Sequence, residues 1–243
     1  MMLAGEDLGE PKTADGHIEM LRVLRVARIS AVRARAKAFN ALKDLIVTAP
    51  SDLRERLTGL HKLHLVHACA DLAAPEIPCT PADAVSLAIT SLAQRCLQLD
   101  AETKALDTHI DRLSAHTCPP LRRVYGVGPD TAATLLVALG DNPHRIGTES
   151  AFAKLCGVAP LEASSGKTVR HRLNRGGNRQ ANRALHVICV VRLRRHQPTR
   201  DYLARRVAEG KTKAETIRCL KRYIAREIYR AIQQPSPTTI APR

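Results

Sequence analysis

Two adjacent hydroxyls and a glycine, Ser164-Ser165-Gly166, head the most cationic stretch of the chain. Lys167, Arg170, His171, Arg172, Arg175, Arg179 and Arg183 follow, and no carboxylate intervenes after Glu162. In isolation Ser-Ser-Gly is an ordinary turn; this setting changes its meaning. A serine hydroxyl is a poor nucleophile at its free pKa. It needs a base, a metal, or neutralisation of the phosphate it attacks. Arginines supply the last by bidentate contacts to non-bridging phosphate oxygens, and His171 is a candidate base. Gly176-Gly177-Asn178 then leads into a helix start, where backbone N–H groups and the helix dipole favour an anion. The chemistry that fits is phosphate binding, with a serine placed beside the phosphorus.

The charge balance points the same way. Residues 1–117 hold 14 Lys and Arg against 15 Asp and Glu, whereas residues 118–243 hold 24 against 8, so the whole net charge of +15 lies in the C-terminal half. Such asymmetry points to a polyanion partner, and with the charge sustained and glycines interleaved among the cations, nucleic acid is favoured over a merely solvated basic surface. The 7 cysteines are odd in number and no two have CxxC spacing, which argues against zinc and against a disulfide framework. They read as buried thiols of a reducing cytosol. His61, His64 and His67 share a spacing of three, but with no fourth ligand they read as surface or packing residues rather than a metal site. No apolar run is long enough to span a bilayer. The expected location is cytoplasmic and nucleoid-associated.

The elements that must position the cationic stretch are helical. Residues 1–15 read as a loose lead-in, 16–117 as a helical coiled-coil region, 118–234 as a basic domain and 235–243 as a disordered tail. Ile18–Val47 carries Leu21, Leu24, Ala27, Ala31, Ala34, Ala38, Leu42 and Leu45 on one seam, with Arg22, Arg25, Arg28, Arg33, Arg35 and Lys37 off it. Pro50 stops it, and Ser51-Asp52 is expected to cap a short helix. Thr80-Pro81-Ala82-Asp83 is a helix start. Val85, Ile89, Leu92, Cys96, Leu99, Thr103, Leu106, Ile110 and Leu113 then alternate by four and three, the repeat of a coiled coil. Its partner is the first helix folded back antiparallel, or the same helix of a second copy.

Pro119-Pro120 marks the domain boundary. Leu121 to Leu139 reads as helix, Gly126-Val127-Gly128 turn, helix, with hairpin N–H groups pointing outward to a phosphate. A short helix is expected over Ser150–Cys156. Arg179–Arg195 is another, capped by Asn178, with Ala181, Leu185, Ile188 and Val191 inside and Arg179, Arg183, Arg192 and Arg194 outside. Pro198 is expected to break it, followed by helices over Arg200–Glu209 and Lys213–Gln233. No strand series stands out; short extended pieces are compatible with Ala159–Leu161 or Val169–Leu173. The fold class is mainly α: a long-helix coiled coil followed by a compact basic helical domain containing a helix-hairpin-helix.

Several blocks, in order, resemble the transposases of the insertion-sequence 110 family, the bridge-RNA-guided serine recombinases. Pro11-Lys-Thr-Ala-Asp-Gly-His-Ile-Glu-Met20 looks like the entry to the family's coiled coil, and Gly126-Val-Gly-Pro-Asp-Thr-Ala132 is similar to its hairpin. Phe152-Ala-Lys-Leu-Cys-Gly-Val-Ala-Pro160, Ser164-Ser-Gly166, Arg172-Leu-Asn-Arg-Gly-Gly-Asn178 and Asn182-Arg-Ala-Leu185 look like its C-terminal transposase domain. The resemblance implies DNA transposition through a serine before a glycine, which maps to Ser165, with Ser164 as the fallback. It implies DNA contacts at Gly126, Val127, Gly128, Lys167, Arg170, Arg172, Arg175, Gly176, Gly177, Asn178, Arg179 and Arg183. It also implies a guide RNA and a homo-oligomer held through the coiled coil. Magnesium is expected through an N-terminal RuvC-like acidic domain, and none is expected on this chain. Glu6, Asp7 and Glu10 do not reproduce that acidic pattern, so a truncated copy is expected. The alternative is a non-catalytic DNA-binding or dimerising remnant.

Overall fold

A computed structural model describes residues 16–141, 146–162, 171–172, 174 and 176–234. The lead-in 1–15, the tail 235–243, Ser164, Ser165, Lys167, Arg170, Arg175 and the side chains of His171 and Arg172 lie outside the described residues. Ten helices and one two-stranded ladder make up the described chain, so the fold is mainly α as expected. Contacts divide it into two compact units. One is Leu24–His109; the other joins the segment ending at Val23 to the segment starting at Ile110.

In the Leu24–His109 unit, α1 (His17–Thr48) and α4 (Pro81–Thr117) are the long elements. α1 is rich in Ala, Leu and Arg, all good helix formers, and Pro50 ends it by removing an N–H and restricting Ala49. α4 starts at the predicted box: Asp83 N–H donates to Thr80 Oγ1 at 3.2 Å, and Thr80 N–H returns a bond to Asp83 Oδ2 at 2.9 Å. Arg28 pairs with Asp107 and Arg35 with Asp100. Seven residues forward on α1 thus match seven back on α4, as an antiparallel pair requires. Burial follows the repeat phase. Ile89, Cys96, Thr103 and Ile110 are buried, and Val85, Leu92, Leu99, Leu106 and Leu113 are half-buried.

The core of this unit gathers Leu42, Ile89, Ala93 and Cys96 with Leu53 and Leu57 of α2 (Ser51–Leu57) and Leu65, Val66 and Cys69 of α3 (Leu63–Ala70). Four expectations fail here. Arg25 is buried rather than off the seam, and Ala27 is exposed. Ser51 does not cap α2; it is the first helical residue, and Pro50 holds the cap position with no side-chain bond. Cys79 is exposed, not a buried thiol. All 7 thiols are free. His61, His64 and His67 are exposed, and among the described residues no three His, Cys, Asp or Glu side chains stand together to hold a metal.

The basic unit is built around α6 (Pro129–Leu139), whose run Thr131–Leu136 is buried on all sides. Against it pack α5 (Pro119–Arg123), α7 (Glu149–Leu155) and α8 (Arg179–Arg195), while α10 (Lys213–Ile232) packs against α5, α7 and α8, and α9 (Gln197–Ala208) against α8 and α10. Phe152, Leu135, Leu185, Ile188, Ile224 and Ile228 are fully buried. α8 ends at Arg195, ahead of Pro198 as expected, but the next helix opens at Gln197 rather than Arg200, with Pro198 in its first turn, where a missing N–H costs nothing. β1 (Leu161–Glu162) and β2 (His171–Arg172) pair antiparallel, with Glu162 opposite His171. The extended pieces are therefore one ladder.

α10 begins at a reciprocal cap. Thr212 Oγ1 accepts from Glu215 N–H at 3.2 Å, and Glu215 Oε2 accepts from Thr212 N–H at 2.9 Å. The Thr212 hydroxyl, which donates to Glu215 Oε2 at 2.7 Å, and then the Thr212 N–H hold the Glu215 carboxyl below its usual range. This stability is present above the ordinary carboxylate pKa and is lost as pH falls through the lowered value. Thr212→Ala is expected to cost about 1 kcal/mol in urea unfolding at neutral pH, and the deficit should shrink once Glu215 is protonated. An unchanged midpoint at neutral pH would remove the cap's role.

Candidate nucleic-acid interface

The cationic stretch is anchored by two glycines packed backbone to backbone. Gly157 ends α7 with φ +65, and Gly177 lies directly against it. A Cβ on Gly177 would sit inside the Gly157 N and Cα atoms and 2.9 Å from the Lys154 carbonyl oxygen. Asn178 N–H donates to the Leu155 carbonyl at 2.6 Å across the same crossing. Asn182, one turn into α8, donates its amide to the carbonyls of Cys156 at 2.9 Å and Gly157 at 3.0 Å. Lys221 of α10 donates to the Asn182 Oδ1. Burial pushes the Lys221 amine down and the neighbouring Cys156 thiol up to about 12. The two ends of the stretch are thus tied to α7, α8 and α10 together, while the β1–β2 ladder brings Glu162 and His171 side by side.

At the α8 start, most backbone donors are already used. Asn178 Oδ1 accepts from Gln180 N–H at 2.9 Å and Ala181 N–H at 3.0 Å, and Gly176 N–H donates to Asn174 Oδ1 at 2.9 Å. The predicted cap is therefore present, and it occupies amides expected to face an anion. The cationic side chains remain outward. Arg179 and Arg183, four apart, are exposed on one face of α8 and form no ion pair among the described residues.

The Gly126-Val127-Gly128 turn joins α5 to α6 as expected, but its N–H groups do not all point outward. Val127 N–H donates to the Val124 carbonyl at 3.0 Å, and Gly128 N–H donates to Thr131 Oγ1 at 2.9 Å. Both amides are thus engaged by local acceptors. Gly126 has φ +83, and a Cβ there would press on Ile188 and Arg192 of α8 at 3.4 Å. Gly128 has extended backbone, and a Cβ there would meet nothing within 4 Å. The fold needs Gly126; Gly128 leaves room for something outside the chain.

Two arginines hold the turn by its carbonyls. Arg122 Nη1 donates to the Val127 carbonyl at 2.8 Å and Nη2 pairs with Asp111 at 2.6 Å. Arg192 Nε donates to the Tyr125 carbonyl at 2.9 Å, and Nη1 pairs with Glu227 of α10 at 2.8 Å. Arg192 is only 7% exposed, so the expectation that it lies outside is wrong, and Val191, expected inside, is exposed. The buried positions of α8 step by four, three and four from Ala181 through Leu185 and Ile188 to Arg192. A spacing of four after Ile188 was the missed signal. Lys221 gave a similar one, falling four after Ile217 on the buried stripe of α10. Along α8 the hairpin's contact at Ile188 lies roughly 14 Å from Arg179, a length of duplex carrying about eight phosphate charges.

Residues 118–204 match the family model described as the Transposase IS116/IS110/IS902 family. This segment runs from the N-cap of α5 to within α9. The chain is also similar to the uncharacterized 43.6 kDa protein of insertion element IS110 from Streptomyces coelicolor, at 33% identity over 141 residues. That match takes in 57% of this chain and 35% of the relative, so the chain spans about a third of the curated relative's length. No helix among the described residues is long and apolar enough to cross a membrane.

Proposed function

We propose that the chain acts in DNA transposition, with Ser165 as the nucleophile of strand transfer. The observation that carries this reading is the coincidence, within the matched segment 118–204, of the hairpin, the Ser164-Ser165-Gly166 tripeptide and the arginine ladder. In the step, the Ser165 hydroxyl oxygen bonds to a DNA phosphorus and loses its proton to a base. The bond from that phosphorus to a deoxyribose oxygen breaks, and the leaving oxygen takes up a proton. Arginines such as Arg179 and Arg183 neutralise the phosphate while its charge rises. Lys167, Arg170, Arg172 and Arg175 add to the same field. The α8 start contributes through its side chains and dipole, since Asn178 uses most of the free amides.

The family reading adds three proposals: a guide RNA as partner, self-association through the repeat of α4, and magnesium held by an acidic domain beyond the residues described. The described residues make no magnesium site of their own.

The test is capture of a covalent protein–DNA adduct on element-end DNA with magnesium present. The adduct should form with the natural chain and with Ser164→Ala and vanish with Ser165→Ala. Loss in Ser164→Ala alone would move the nucleophile by one residue. A natural chain that binds DNA but never forms the adduct would reassign it to phosphate binding without chemistry.

A further inference from the structure

A groove of about 390 Å³ lies between α5 and α10 in the basic unit. Arg123 and Val124 line one side; Tyr223, Arg226, Glu227 and Arg230 line the other. Its charges are not equivalent. Glu227 is held by Arg192 at 2.8 Å, and Arg226 is bonded through Nε to Glu149 at 3.0 Å. Arg123 and Arg230 are exposed and form no ion pair among the described residues. The groove therefore offers two uncommitted guanidiniums while its carboxylate is already neutralised.

The same groove is lined by Tyr223, 50% exposed. Its ring is braced edge-on by Tyr202, with centroids 5.7 Å apart and an interplanar angle of 80°. The Arg226 guanidinium lies 5.8 Å from its centroid. This chain has 4 Tyr, 2 Phe and no Trp, so an aromatic ring left half in solvent is not explained by a surplus of rings. A fixed aromatic face flanked by free arginines is the arrangement on which single-stranded bases stack while phosphates meet cations. A paired base inside a duplex has both faces covered by its neighbours and cannot use such a ring. Val124 belongs both to the groove wall and to the hairpin, whose Val127 N–H it accepts.

We infer that this groove holds single-stranded DNA, one unpaired base lying on Tyr223 with neighbouring phosphates on Arg123 and Arg230. The inference rests on the DNA reading above and adds a second contact beside the hairpin, suited to a strand freed during exchange.

Fluorescence anisotropy of the whole chain tests it, with labelled oligothymidylate, a duplex of equal length, and the matching oligouridylate as probes. Tyr223→Ala should weaken single-strand binding about tenfold, with Tyr223→Phe unchanged and duplex binding within about twofold. Arg123→Gln with Arg230→Gln should lower the single-strand salt slope by about 1.4 and, distant from the Tyr202 contact, serves if Tyr223→Ala misfolds. Equal loss for strand and duplex, or no loss in either variant, overturns the groove. Tighter binding of oligouridylate than oligothymidylate overturns its assignment to DNA. A natural chain that binds neither DNA probe would instead overturn the DNA reading itself, so the two failures are distinct.

Discussion

Gly177→Ala is expected to destabilise the basic unit by about 3 kcal/mol or more, among the largest single effects available in this chain. The added Cβ would meet backbone, not a side chain able to turn away: Gly157 N and Cα, and the Lys154 carbonyl 2.9 Å off. Relief requires α7 and α8 to separate, and the Asn178 to Leu155 bond and both Asn182 bonds would stretch with them. Gly176→Ala is the control, because its Cβ would meet Asn174 Oδ1 at an ordinary 3.5 Å. Urea unfolding followed by helix signal compares the two. If Gly177→Ala unfolds at the same midpoint as Gly176→Ala, the backbone crossing is not a feature of the folded chain.

Glu227→Ala is expected to cost more than Arg192→Met, although both break the same ion pair. Removing the carboxylate strands a guanidinium that is 7% exposed, and an uncompensated buried charge is expensive. Because the Glu227 side chain is 48% exposed, water offsets part of that, and about 2 kcal/mol is expected rather than the full buried-pair penalty. Arg192→Met removes the charge together with its own desolvation. It also removes a buried Nη2 that has no partner, leaving the Tyr125 carbonyl as the main loss, about 1 kcal/mol. The double variant should then resemble Arg192→Met alone, a coupling that a double-mutant cycle reads directly. Equal costs for the two single variants, with simple additivity, would show that the pair is incidental to holding the hairpin.

Helix positions were legible wherever an apolar stripe and a punctuating residue agreed. The stripes of α1 and α4, the Thr80–Asp83 start and Asn178 before α8 all follow from spacing and cap chemistry. Sequence reasoning failed where a charged residue occupies a core position. Arg25, Arg192 and Lys221 read as surface by type. In the structure they are buried, Arg192 and Lys221 by virtue of acceptors supplied by distant segments: Tyr125 and Glu227 for one, Asn182 for the other. Such acceptors have no local signature. Pro198 marked the end of α8 but hid the start of α9, since the same ring that ends one helix is compatible with the first turn of the next. Within the candidate interface, the glycines at 126 and 177 could be recognised as turn-makers. That Gly177 is required by the backbone of Gly157, twenty residues earlier, could not.

That crossing separates length from stability. Because Gly157 and Gly177 close the stretch from Val158 to Gly176 at its base, the helices beneath it do not depend on how many residues the stretch contains. Lengthening a loop closed in this way costs only about 0.6 kcal/mol per doubling. Relatives can therefore vary the segment bearing the serines, and an engineer can graft into it, without redesigning the scaffold that carries it.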